Sequence, residues 1–291
     1  MQPNLFIVGA PKCGTTAWVE YLSTHPDVYF SPVKEPLHFC TDFPGFRTFP
    51  DRSTYEALFA DSGPAPVRGE ASVMYLFSGT AAAEIAAYNH NARIIVFVRR
   101  QEDFLPSLHN QFLFNGDETI EDFETAWRLS PNRTPPRSCR EPRFLDYMAE
   151  GRFHEQVMRY VDAFGAEQVR VFHFDDWTRD PAAVYGEIRR FLGLEPDGRT
   201  SFPKVNEAER HRLQLLGRFT QSPPPWAIKA SALAKRITGG SNAPLINWIR
   251  SLNRTRGYRS TGMSELLADE IRSYFAEDNR LLEPLIWRPQ R

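Results

Sequence analysis

The chain has 291 residues, 42% apolar and 13% aromatic, and is long enough to bury a substantial core. Its 35 basic and 36 acidic side chains nearly cancel, which excludes the global positive field of a nucleic-acid binder. Any anionic ligand must be held by a local site. The N-terminus, MQPNLFIVGAPK, lacks the basic stretch and long apolar run of a secretion signal. No segment reaches the roughly 18 consecutive apolar residues of a membrane span. The three cysteines, Cys13, Cys40 and Cys139, are too scattered for a disulfide scaffold or a zinc site. A cytoplasmic protein with free thiols fits these features, and so does a piece of a larger protein.

In chain order, the apolar run 5–8 stops at Gly9, a short polar loop follows, and residues 15–24 place Trp18, Val19 and Leu22 at helical spacing. Residues 26–69 are rich in proline and aromatic side chains without periodicity, so they read as irregular, with a short helix at 55–59. A second short strand is expected at 67–70. The alanine-rich run 80–88 favours helix, and 93–98 is a β-branched run suited to a buried parallel strand. Helices are expected at 101–114 and 119–129, then a flexible, basic, proline-rich insert at 130–142. An amphipathic helix at 144–164, a strand at 169–174 and a helix from Asp180-Pro181 to Phe191 follow. Beyond Pro203 the pattern is mostly helical.

This alternation predicts an α/β fold in one domain over 1–291: a P-loop-like, mainly parallel β-sheet flanked by helices, with a helical C-terminal elaboration. Residues 222–262 are expected to form a lid or acceptor-side region, and the stretch 222–251 also has the tryptophans and basic groups of a membrane-surface contact.

Residues 9–16, GAPKCGTT, join the first strand to the first helix. A glycine-bounded loop there offers backbone N–H groups and the positive end of the helix dipole to an anion. Lys12 adds a full charge, and Thr15 and Thr16 add hydroxyls. The ATPase pattern GxxxxGK[ST] requires lysine directly after the second glycine, where this chain has Thr15. That lysine normally reaches the terminal phosphates, so its displacement to position 12 argues against a kinase-like enzyme.

The loop resembles the 5'-phosphosulfate loop of the sulfotransferases that use 3'-phosphoadenosine 5'-phosphosulfate (PAPS). Residues 31–39, SPVKEPLHF, are similar to the KEPHFF-type segment of the bacterial and heparan-sulfate-sulfotransferase-like branch, and 68–76, RGEASVMYL, to its GEKTPxY stretch. Arg99 at a strand end with Ser107 eight positions later looks like the family's 3'-phosphate signature. Residues 254–258, RTRGY, are similar to its basic-glycine loop. The resemblance implies PAPS as co-substrate and 3',5'-bisphosphoadenosine as product; because a sulfuryl group carries less negative charge than a terminal phosphate and the sequence has no His/Cys/Asp cluster at ligand spacing, no metal is expected. The resemblance implies a donor site made of Pro11, Lys12, Cys13, Gly14, Thr15, Thr16, Arg99, Ser107, Arg256 and Gly257. Departures are Phe104 where arginine or lysine is frequent, Pro106 just before Ser107, and Tyr258 where many relatives carry arginine.

The chemistry agrees with this reading. An arginine fork plus a hydroxyl suits a dianionic phosphate, and Lys12 can neutralise charge on the departing 5'-phosphate during an in-line displacement. An acceptor hydroxyl needs a base. Glu70 is the candidate, since in the resemblance it matches the branch's catalytic glutamate; an ion pair with Arg68 is its ordinary alternative. Glu35 and His38 compete, with loop shaping as their expected role and His38 as the fallback base, and His109 is expected to be structural. The expected acceptor is a hydroxyl of a glycan, lipid or small molecule, with no nucleic acid. A noncatalytic nucleotide-binding module is the remaining alternative.

Overall fold

The computed structural model describes residues 1–130, 132–203, 209–211, 254–256 and 263–289. The chain divides into two compact units, one of Met1–Leu108, Asp146–Val205 and Ser264–Arg291, the other of His109–Leu145 and Asn206–Met263. In chain order the strands are β1 (Leu5–Gly9), β2 (Val28–Phe30), β3 (Val67–Ala71), β4 (Arg93–Val98), β5 (Val169–His173), β6 (Glu209–His211), β7 (Arg254–Arg256) and β8 (Ile286–Trp287). β6 and β7 form an antiparallel pair in the second unit.

The other six strands make a parallel sheet in the order β2-β3-β1-β4-β5-β8. Every residue of β1 is buried, and so are Ile94 to Val98 of β4. Continuous apolar strands of this kind need cover on both faces. On α1 (Thr15–Ser23), Trp18 stacks on Phe97 of β4 with ring centroids 5.3 Å apart and planes 13° from parallel. On α7 (Phe153–Phe164), Phe153, Val157, Tyr160 and Phe164 form one buried stripe at helical spacing. Each such side chain contributes about 1.5–3 kcal/mol on burial.

Strand order decides where a ligand can bind. From β1 the chain turns towards β2 and β3, whereas from β4 it moves the other way to β5. The crevice beyond the C-terminal ends of β1 and β4 is therefore the switch point at which open α/β sheets hold ligands.

Several elements differ from expectation, each for a local reason. β2 and β8, of three and two residues, are too short to show a period. The expected helix at 144–164 is broken: α6 (Tyr147–Glu150) is capped by Asp146, which accepts from Ala149 N at 3.0 Å, and it ends at Gly151. A side chain at Gly151 would lie 2.4 Å from the Phe275 ring. α4 (Gln101–Asn115) runs straight through Pro106, which forgoes one backbone bond in an early turn. Phe104, the departure from the family pattern, is fully buried against Phe153 at 4.9 Å.

In the second unit, α5 (Phe123–Leu129) starts later than residue 119. Asp122 accepts from Thr125 N at 2.8 Å as its cap, while Glu118 holds the backbone N–H groups of Thr119 and Ile120 at 2.7 and 2.9 Å. The basic insert, expected to be flexible, is tied down by Arg133 paired with Glu118 and by Arg140 with Asp117 at 2.6 Å, both carboxylates being buried. His109 is structural in setting: its Nε2 lies 2.8 Å from the Ile120 carbonyl.

Candidate active site

The loop after β1 is shaped by contacts distant in sequence. Gly14 has φ of +88°, and a Cβ there would sit 2.2 Å from the Trp177 ring; only glycine satisfies both the left-handed backbone and the close approach. Trp177, on α8 (Phe174–Arg179), also donates from Nε1 to the Cys13 carbonyl at 3.2 Å. α1 starts at Thr15 with no side-chain cap and no acidic residue in its first turn. Its first N–H groups are left for an anion.

Lys12 is exposed over its length, yet burial around its amine, then the charges of Arg99 and Lys34, lower its pKa below the ordinary lysine value. Three cations thus converge at the loop. The Cys13 thiol is fully buried, and desolvation pushes its pKa up to about 12, which keeps the side chain a neutral thiol.

Arg99 follows the last residue of β4. Its guanidinium lies over the Phe174 ring at 4.6 Å, and its buried Nε has no hydrogen-bond partner among the described residues. A buried orphan donor in an arginine fork is a ready anion contact. Arg99 also lines a cavity of about 370 Å³ with Arg100, Gln101, His173 and Asp175. Ser107 is half-buried in the second turn of α4 and pairs with no other described residue. These groups suit a ligand with two separated phosphates. Arg256 ends β7, and Gly257, with the rest of the 257–262 stretch and residues 222–253, lies outside the described residues.

On the other side of β1, the two candidate carboxylates have opposite surroundings. Glu70 lies within β3, opposite Phe6 of β1, and is 1% exposed. Its Oε1 accepts from the hydroxyls of Tyr55 at 2.6 Å and Tyr75 at 3.1 Å, and its Oε2 from Ser72 at 2.7 Å. Desolvation raises its pKa to about 7 against the pull of those three donors. Burial likewise raises both tyrosines well above the ordinary value, keeping their hydroxyls protonated. Arg68 makes no pair with Glu70 and donates instead to the carbonyls of Gln2 and Ala65 at 2.9 and 2.8 Å.

The same hydroxyls reach the segment that carries Glu35. Ser72 Oγ accepts from Leu37 N at 3.3 Å, and Tyr75 Oη from His38 N at 2.8 Å and Phe39 N at 3.2 Å. Glu35 stands at the edge of this network with its side chain 29% exposed, accepting from Val73 N at 3.1 Å and lying 3.4 Å from Lys34 Nζ. Desolvation, opposed by Lys34 and the Val73 N–H, raises its pKa. His38 is enclosed: its ring stacks on Tyr55 at 4.4 Å, its Nδ1 is 2.6 Å from the Phe49 carbonyl, and burial lowers its pKa.

The structure therefore brings together the loop, Lys12 and Arg99 on one flank of β1, and Glu35, His38 and Glu70 on the other. Sequence reasoning missed Lys34, Trp177, Tyr55, Tyr75 and Ser72. Only Lys34 carried a signal, its place directly before Glu35 in the matched segment.

Fold and site together define an α/β protein with a glycine-bounded strand-to-helix loop, an uncapped helix start and an arginine with an orphaned donor at the sheet's switch point. The family described as "Sulfotransferase domain" matches residues 2–212, and the chain belongs to that family. It is 22% identical over 286 residues to the bifunctional heparan sulfate N-deacetylase/N-sulfotransferase 1 of Caenorhabditis briggsae, covering 96% of this chain and 30% of that protein. A 34-residue stretch, 12% of this chain, is 53% identical to carbohydrate sulfotransferase 15 of Rattus norvegicus, of which it covers 6%. The chain spans less than a third of the length of these two curated relatives. The crystal structure of a sulfotransferase from Alicyclobacillus acidocaldarius matches with a TM-score of 0.70 and 28% identity, over 100% of this chain and 98% of that one.

Proposed function

We propose that this chain moves a sulfuryl group from PAPS to a carbohydrate hydroxyl by in-line displacement. The observation that carries the reading is the convergence, at the β1/β4 switch point, of an uncapped helix N-terminus, Lys12 and an arginine with an orphaned donor. The loop N–H groups, Thr15 and Thr16 bind the 5'-phosphosulfate, and Lys12 neutralises charge on the leaving phosphate. Arg99 and Ser107 bind the 3'-phosphate, with Arg256 and Gly257 assigned to the nucleotide from sequence. The carbohydrate acceptor is favoured by the names of the relatives, which include heparan sulfate and carbohydrate sulfotransferases.

The base we favour is Glu35 rather than Glu70. A base must come within hydrogen-bond reach of the acceptor hydroxyl. Glu35 is partly open, whereas Glu70 is sealed and already accepts three hydroxyl protons. Glu70 then serves as the anchor that fixes Ser72 and Tyr75, and through them the backbone of residues 37–39. Titration with 3',5'-bisphosphoadenosine and with magnesium-ATP tests the donor assignment. Selective, magnesium-independent binding of the bisphosphate is expected; preference for magnesium-ATP would overturn it.

A further inference from the structure

Lys34 lies outside the phosphate loop, yet its Nζ donates to Thr16 Oγ1 at 2.8 Å and stands 3.4 Å from Glu35 Oε1. One ammonium thus joins a loop hydroxyl on α1 to the carboxylate on the other flank. The backbone around it is held in an uncommon state. Lys12, Glu35 and Leu37, with φ of 62°, 60° and 51°, are the non-glycine residues with positive φ among those described. Such conformations persist where surrounding contacts over-determine them, and they cluster at working sites. Here the contacts are Glu35 N to Ala71 O at 3.0 Å, Val73 N to Glu35 Oε2 and Leu37 N to Ser72 Oγ.

We infer that Lys34 is a positioning residue that couples the donor loop to the proton acceptor, anchored on Thr16 and setting the place and charge of Glu35. The inference rests on the sulfotransferase reading with Glu35 as base. A ligand on the loop that engages Thr16 must compete with or reorient the Lys34 ammonium, and the change reaches Glu35 directly. The charged groups acting around this pair are Lys34 itself, Glu70, which feels the Glu35 charge, and Lys12, which feels that of Lys34. Because the cation favours the ionised carboxylate, removing it moves Glu35 to higher pKa.

The experiment uses the full chain and needs no identified acceptor. The Glu35 carboxyl is titrated by carbon-13 NMR, its signal assigned with Glu35→Gln, in the wild type, Lys34→Met, Lys34→Arg and Thr16→Val, with and without 3',5'-bisphosphoadenosine. The expected result is a midpoint raised by about one pH unit in Lys34→Met and restored in Lys34→Arg. Bisphosphate should shift the Glu35 signal in the wild type and not in Lys34→Met, and its affinity should fall about three- to tenfold in Lys34→Met. Thr16→Val, which removes the anchor on the loop, should weaken bisphosphate binding and blunt the shift that saturating bisphosphate causes in the Glu35 signal, so the idea stays testable if Lys34→Met does not fold; an undiminished shift in Thr16→Val overturns the coupling. An unmoved midpoint in Lys34→Met, or a Glu35 signal blind to bound bisphosphate, overturns the coupling alone. A wild type that binds no bisphosphate overturns the donor reading and the coupling with it.

Discussion

Glu35 and Glu70 are two carboxylates joined by one hydrogen-bond network and given opposite settings. Glu70 sits inside a strand under three hydroxyl donors, while Glu35 sits on a left-handed loop residue with one backbone donor, one cation and partial exposure. The difference separates two jobs that the sequence lumps together. In the proposed function one carboxylate builds the site and the other takes the proton.

The comparison breaks most sharply in turnover. Glu35→Gln should lower kcat for sulfate transfer from PAPS by about a hundredfold or more with bisphosphate affinity intact. If Glu70→Gln shows that loss and Glu35→Gln does not, the roles are reversed.

The next effect is in stability against pH. The folded pKa of Glu70, about 7, lies above the unfolded glutamate value of about 4.3. Its favourable contribution is therefore complete below the unfolded value and is lost as pH rises through 7. Glu70→Gln cannot ionise, so relative to the wild type it should gain about 3–4 kcal/mol between pH 4 and pH 8 in denaturant unfolding; a flat difference would mean the burial is relieved in solution.

Removing one donor should matter less. Tyr55→Phe, which deletes the 2.6 Å bond to Glu70, should cost about 1–2 kcal/mol, and more at pH 8 than at pH 6 because the ionised carboxylate needs the donor most. Equal costs at both pH values would argue that Glu70 stays protonated throughout. The smallest effect is chemical silence: with its thiol at about 12, Cys13 should resist alkylation at pH 8 in the folded chain despite lying in the phosphate loop. Rapid labelling there, read by mass spectrometry, would show that the loop opens.

Much of the donor side was legible. Residues 5–8 and 94–98 announce buried strands by unbroken apolar runs, and a glycine-bounded loop between strand and helix is suited to holding an anion. The acceptor side was not, because its logic is long-range. The case for Glu35 over Glu70 rests on Tyr55, Tyr75 and Ser72 closing over Glu70, and nothing local to residue 70 signals a partner 15 positions earlier. The contact between Trp177 and the loop spans 164 residues and has no periodic signature. The late start of α5 was readable in principle, since Asp122 three places before Thr125 is a capping pattern, but acidic residues on both sides blurred it.

The lengths of the sheet's strands have a consequence away from catalysis. The outermost strands, β2 and β8, have three and two residues, while those beside the site have five or six. An edge strand offers unpaired backbone groups on which another chain can build, and short edges offer few of them. The arrangement gives the reactive centre its rigid floor and leaves little template at the rim for misassociation between copies at high concentration.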